Sequence, residues 1–251
     1  ADWVIAMDDG ERTPLKWLSR VPTGLASATG SFSYHGPGRG PGNSIVALLN
    51  GCRLTGKASY LLKAEELIRR CVHPQQDLDA LDLLNAEIRW YYTVFLQSLG
   101  YFLDFKSERG EFDQMYAYAR ATLIHYARWM VEHEYPYLEK PEKLEFPTET
   151  WAAQDMRKSV VLGLAARYAS EIDARIFRER AAFFFRYSVS TLERMKTSVF
   201  TRPTILLLTN GYQAEGLRSA SRVADNAAPS TSWPAPRPFV PQRVEARRRL
   251  T

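Results

Sequence analysis

Apolar residues along this chain recur at intervals of three and four, and nowhere do they alternate over the length of a strand. That periodicity predicts helices throughout. The plainest stripe, Leu84, Ile88, Tyr91, Tyr92, Phe95, Leu99, Phe102 and Leu103, predicts a helix over about 81–106. Met115, Ala119, Leu123, Tyr126, Ala127 and Met130 mark another over about 112–134, and Leu61, Ala64, Ile68 and Cys71 one over about 58–72. Ile176, Phe177, Phe184, Val189, Leu192 and Met195 mark a helix over about 172–196. The stretch 149–169 is apolar on more than one face (Val160, Val161, Leu162, Leu164, Ala165), as expected of a helix buried on several sides.

Two further helices follow from their end signals. Asn43 or Ser44 is placed to cap a helix running to about Leu54, and Thr201-Arg202-Pro203 sets a cap before a first-turn proline, opening a helix to about Val223. Gly56, Gly110 and the three prolines between Tyr135 and Thr148 mark breaks. Residues 1–42 read as irregular: Asp8-Asp9-Gly10 signals a turn, Pro14–Leu18 suits a short helical turn, and the Gly/Pro-rich run 36–42 is expected to exclude helix. Five prolines between 229 and 241 predict an extended or disordered tail over 224–251. The fold class is therefore all-α, with about seven main helices as serial antiparallel hairpins in a domain spanning 43–223. Odd-numbered helices are the more uniformly apolar, the contrast that an inner and an outer ring would produce.

Composition narrows this picture. The 251 residues, 45% hydrophobic, suffice for a sizeable core, and no run approaches the roughly 18 apolar residues of a membrane span. Of the net +5, the tail holds five arginines against Asp225 and Glu245, which leaves +2 for the body and argues against a nucleic-acid footprint. Cys52 and Cys71 fall at different heights on successive helices, so free buried thiols are expected, which fits a reducing, cytoplasmic compartment. The start at Ala1 suggests a processed or excised chain.

In stacked hairpins alternate helices start on the same rim, and the residues at those starts carry the candidate chemistry. Tyr34, His35, Arg39 and Asn43 precede or open the first helix. Glu87, Trp90 and Tyr91 lie at the third, Glu149, Trp151, Gln154 and Asp155 at the fifth, and Arg202 at the seventh. A carboxylate flanked by aromatic rings suits sugar recognition, because rings stack on the apolar faces of pyranoses while the carboxylate accepts from hydroxyls. Glu149 at a helix start also suits simple capping. It stands about 240° around the helix from Asp155, so an acid pair would combine Glu87 with one of them. The four dispersed histidines argue against a metal site, and no cofactor motif is present.

The hairpin succession, the segment LTGKASYLLKAEEL at 54–67 and the segment FPTETWAAQD at 146–155 resemble the (α/α) toroid proteins of the six-hairpin glycosidase type. GSFSYHG at 30–36 also resembles a loop of toroidal polysaccharide lyases. The resemblance implies a saccharide ligand and a glycoside hydrolase-like or carbohydrate-binding function, without metal or cofactor. In the lyase alternative Tyr34 or His35 serves as base, with Arg39 or Asn43 on a uronate carboxylate. A complete toroid needs about twelve helices, so seven imply that another domain or chain supplies the remainder. The rival expectation is a non-catalytic interaction or scaffold module.

Overall fold

The computed structural model describes residues 1–10, 26, 31–196, 200–223 and 232–236. The fold is all-α, with no strand among the described residues. By contacts the chain divides into two compact units, Ala1–His73 with the C-terminal residues described at 232–236, and Pro74–Pro229. The expected Pro14–Leu18 turn and most of the Pro/Arg-rich tail lie outside the described residues.

The first unit contains α1 (Asp2–Asp9), α2 (Phe32–His35), α3 (Arg39–Thr55) and α4 (Ala58–Cys71). Among its described residues the N-terminal segment is not irregular throughout as expected, because α1 and α2 both precede residue 39. Nor does the Gly/Pro run exclude helix: Arg39, Gly40, Pro41 and Gly42 form the first turn of α3. Pro41 fits there because the first-turn N–H groups have no partner within a helix, so a missing one costs nothing. Gly38 caps this turn, and a Cβ at that position would stand 2.1 Å from the carbonyl oxygen of Ser33. The α3–α4 turn closes through Gly56, left-handed at φ 71°, whose N–H donates to Cys52 O at 2.8 Å.

α4 draws two acidic residues of α1 inward. Lys63 Nζ lies 2.8 Å from Asp8 Oδ2, 2.6 Å from Asp9 Oδ1 and 2.9 Å from Glu66 Oε1, and the Arg70 guanidinium makes paired 2.8 Å bonds to Asp8. Asp8-Asp9-Gly10 is therefore a helix end pinned by buried charge. Cys52 and Cys71 are both buried free thiols.

The second unit contains α5 (Ala86–Arg89), α6 (Tyr92–Glu108), α7 (Gln114–His133), α8 (Glu149–Tyr168), α9 (Glu171–Arg194), α10 (Thr201–Leu206) and α11 (Tyr212–Arg218). Side-chain caps open two of them: Asp113 accepts from Tyr116 N at 2.9 Å and Ser170 from Asp173 N at 3.1 Å. A π-type stretch, Leu207–Gly211, joins α10 to α11. There Asn210 turns inward, 3% exposed, and its Nδ2 donates to Leu206 O at 3.1 Å. The predicted last helix thus ends at Arg218 rather than Val223 and is not uniformly α.

The predicted helix from 81 also starts late. Asp82 adopts φ 52°, which breaks the spiral, and α5 is separated from α6 by a turn at Trp90–Tyr91. Ile88 is consequently 49% exposed rather than part of a core stripe.

α8 is the central element and packs against α6, α7, α9, α10 and α11. Its low amphipathicity follows from neighbours on every side, and fifteen of its twenty residues are buried. Glycines permit its closest approaches: a Cβ at Gly100 of α6 would lie 2.6 Å from Leu164 Cδ1, and one at Gly163 would lie 3.0 Å from Leu217 Cβ of α11.

Candidate functional site

Three chain breaks in the second unit bring sequence-distant residues to one cavity of about 260 Å³. α5 contributes Glu87 and, from the turn after it, Trp90; the start of α8 contributes Thr150, Trp151 and Gln154; α10 contributes Arg202. Phe146 and Thr148 close the wall from the connection before α8, Phe146 with 67% of its surface exposed. Trp90 and Trp151 are half-buried against a small apolar cluster of Ala86, Tyr137 and Leu144. Trp151 stays in place through its indole N–H, which donates to Phe146 O at 3.0 Å, and through an edge contact of 5.1 Å with Tyr137. Glu87 Oε1 accepts from Glu145 N at 2.8 Å, which ties α5 to the same connection.

Below this wall lies a charged network that periodicity did not reveal. Lys158 and Asp155 are wholly buried, and the Lys158 ammonium donates to Tyr135 O at 2.6 Å while sitting 2.8 Å from Glu134 Oε2 and 3.0 Å from Asp155 Oδ1. It also lies 3.4 Å from the centre of the Tyr137 ring. Tyr92 donates its hydroxyl to Glu134, and Tyr137 N donates to Asp155 Oδ2 at 3.2 Å. Burial pushes Asp155 up to about 7 against the pull of Lys158. Burial works to depress the ammonium, yet Asp155, Glu134 and Tyr137 hold it above the usual lysine range. Hints of this network were present as Asp155 and Lys158 within the helix that is apolar on more than one face.

The candidate residues separate accordingly. Glu87, Trp90, Trp151, Gln154 and Arg202 share the cavity, whereas Tyr91 and Glu149 do not line it. Glu149 occupies the first position of α8, and Thr148, the cap residue, makes no side-chain capping bond. Asp155, expected as an acid facing a ligand, instead has no exposed surface and points into the ion network, because its position on α8 faces the core. Tyr34, His35, Arg39 and Asn43 belong to the first unit. There His35 Nε2 lies 3.0 Å from Ala26 O, Tyr34 O accepts from the Cys71 thiol at 3.6 Å, and Arg39 and Asn43 are exposed.

Asp8, Asp9 and Glu66 are the described carboxylates closest to a metal-ligand arrangement, their ligand atoms lying within 4.8 Å of one another. The Lys63 ammonium already occupies the point between them. A larger cavity of about 410 Å³ lies between α8, α9 and α11 against Gly163, Ala181, Phe185 and Leu217, with Arg178 and Arg186 at its edge. Its lining holds one aromatic ring, Phe185, and no indole, where the smaller site brings three aromatic rings together. No helix of the described chain is long and apolar enough to cross a membrane. Comparison with protein-family models, with curated proteins and with solved structures finds no match.

Proposed function

We propose that the cavity of the second unit binds a saccharide, as a carbohydrate-binding or carbohydrate-active module. The observation that carries this reading is the meeting of Trp90, Trp151 and Phe146 with Glu87, Gln154 and Arg202 around one open volume of about 260 Å³. Aromatic faces supply stacking surface, and the polar groups supply donors and acceptors that orient hydroxyls. With Asp155 in the core, Glu87 is the one carboxylate among the residues lining the cavity, which favours binding over a two-carboxylate hydrolysis. As part of the same proposal, the serial helices of this unit form a segment of an (α/α) toroid.

Titration of isotope-labelled protein with a panel of methyl glycosides, followed by NMR, tests the reading. Shifts confined to the Trp90 and Trp151 indoles, weakened by Phe146→Ala and by Glu87→Gln, are expected. Absence of any shift at millimolar glycoside would sink it.

A second reading, an interaction module, has its own observation. Ile205, Leu208 and Tyr212, from α10 through the π-type stretch to α11, are 56%, 71% and 83% exposed at spacings of three and four, an apolar stripe uncovered among the described residues. Sedimentation and cross-linking of the wild type and of Leu208→Lys test it: a partner or self-association lost in the variant favours this reading.

A further inference from the structure

The cavity contains one polar side chain whose hydrogen-bonding sense is dictated by its surroundings. Gln154 is 4% exposed and lines the cavity. Its Oε1 accepts from Arg157 Nε at 2.9 Å. A guanidinium can only donate, so the amide must turn its oxygen to Arg157 and its nitrogen away. The same sense is imposed from the far end of a buried chain. Leu206 O can only accept, so Asn210 presents Nδ2 to it at 3.1 Å and Oδ1 to Gln97. Gln97 then donates through Nε2 to Asn210 Oδ1 at 2.8 Å and accepts at Oε1 from Arg157 Nη1 at 3.1 Å. Donation thus runs outward from Arg157 to both sides: Gln97 and Asn210 cannot flip without breaking two bonds each, and Gln154 cannot flip without losing its bond to Arg157.

The consequence falls on Gln154 Nε2. It has no partner among the described residues, and it is not one of the buried atoms sealed from solvent without a hydrogen bond. The solvent-accessible space that its residue lines is this cavity. We infer that Gln154 is a specificity-determining donor and that the preferred ligand is a pyranoside carrying a neutral carbonyl substituent, an N-acylamino sugar. This inference rests on the saccharide reading of the same cavity.

The charge of the site decides between the two acceptor-bearing sugar classes. The deep donor, Gln154, is a neutral amide, whereas Arg202 and Glu87 are exposed at the cavity edge. A carboxylate brought to the floor would exchange hydration for one neutral N–H, which is costly, whereas a carbonyl loses little. Glu87 adds a negative charge that Arg202 offsets, so the cavity lining carries no net positive charge to hold a carboxylate. A hydroxyl can accept too, but it brings a proton that finds no acceptor on this amide nitrogen.

The test compares methyl N-acetyl-β-glucosaminide, methyl β-glucoside and methyl β-glucuronide by NMR titration on the full chain. The N-acetyl sugar is expected to bind about tenfold more tightly than the other two, the size of one well-made hydrogen bond. Gln154→Glu keeps an oxygen facing Arg157 and replaces the cavity-facing N–H₂ by an acceptor. It should erase that preference. Equal affinity for the three wild-type ligands, or preference for the glucuronide, would overturn the inference and leave saccharide binding intact. Absence of binding by all three would overturn both. The wild-type series decides by itself should the buried glutamate unfold the variant.

Discussion

Replacing Lys158 by methionine removes the one cation from a buried cluster and strands two carboxylates. Lys158 and Asp155 have no exposed surface and Glu134 only 4%, so neither acid gains solvation from water when the ammonium leaves. Tyr135 O loses its donor as well. Breaking a buried ion pair from one side costs about 3–5 kcal/mol, which exceeds the worth of the pair itself because the remaining charge is uncompensated. For a chain of this size that is a loss of roughly 6–20 °C in melting temperature. Urea denaturation followed by circular dichroism reads the free energy. Amide exchange should localise the damage to the 135–148 connection, which Lys158 and Asp155 hold at Tyr135 O and Tyr137 N. The informative control is the triple variant Lys158→Met, Asp155→Asn, Glu134→Gln, in which no charge is stranded and the Tyr137 bond persists. It should recover at least half of the loss. A single variant within about 1 kcal/mol of wild type, or a triple variant no better than the single, would refute the stranded-charge argument.

Asp155→Asn should also alter the pH dependence. With the folded carboxyl near 7 and an unfolded one near ~3.9, the folded chain binds the extra proton between them, so stability falls as pH rises through that window. The gap corresponds to at most about 4 kcal/mol, and the asparagine variant should show a flatter profile from acid to neutral pH in urea titrations. Gly100→Ala should destabilise by about 1–2 kcal/mol although alanine is the better helix former, because its Cβ would meet Leu164 at 2.6 Å. Gly216→Ala, exposed and with nothing within 4 Å of the added carbon, should stabilise by about 0.5–1 kcal/mol; opposite signs in thermal denaturation check the pair. Burial pushes the Cys71 thiol up to about 12, so it should resist iodoacetamide at pH 8 in the folded chain and react once urea unfolds it.

The helices were legible because their signals are local. Period, cap and breaker placed α7, α8 and α9 within two residues of their observed ends, with Asp113 and Ser170 serving as caps. The start of α6 was not legible: the stripe from Leu84 continues smoothly through the turn at Trp90–Tyr91, and the predicted start at 81 falls just before Asp82, which takes a left-handed backbone. Aspartate tolerates that conformation without announcing it. The first turn of α3 was misjudged for a related reason: glycine and proline report what a helix interior rejects, but a first turn lacks those demands. Among site residues, Trp90, Trp151, Gln154 and Arg202 share a cavity because helix starts are where side chains leave the packed bundle. Asp155 shows the limit of that rule. One residue beyond Gln154 the face of α8 turns to the core, and only the position of Lys158, Glu134 and Tyr137 in space decides that a carboxylate there is buried.

The π-type stretch Leu207–Gly211 has a bearing on how this helix keeps time. One extra residue per turn acts as a phase shift of about 100°, inserted between a front half that carries Arg202 and a rear half that carries Ala214 and Leu217. Shortening the stretch by one residue would leave every side chain chemically present but rotate the rear half out of step, carrying Leu217 away from Gly163 of α8. Two faces that a regular spiral would hold in fixed relation are therefore set independently, and Asn210, locked to Gln97 and Leu206, is the catch that fixes the offset.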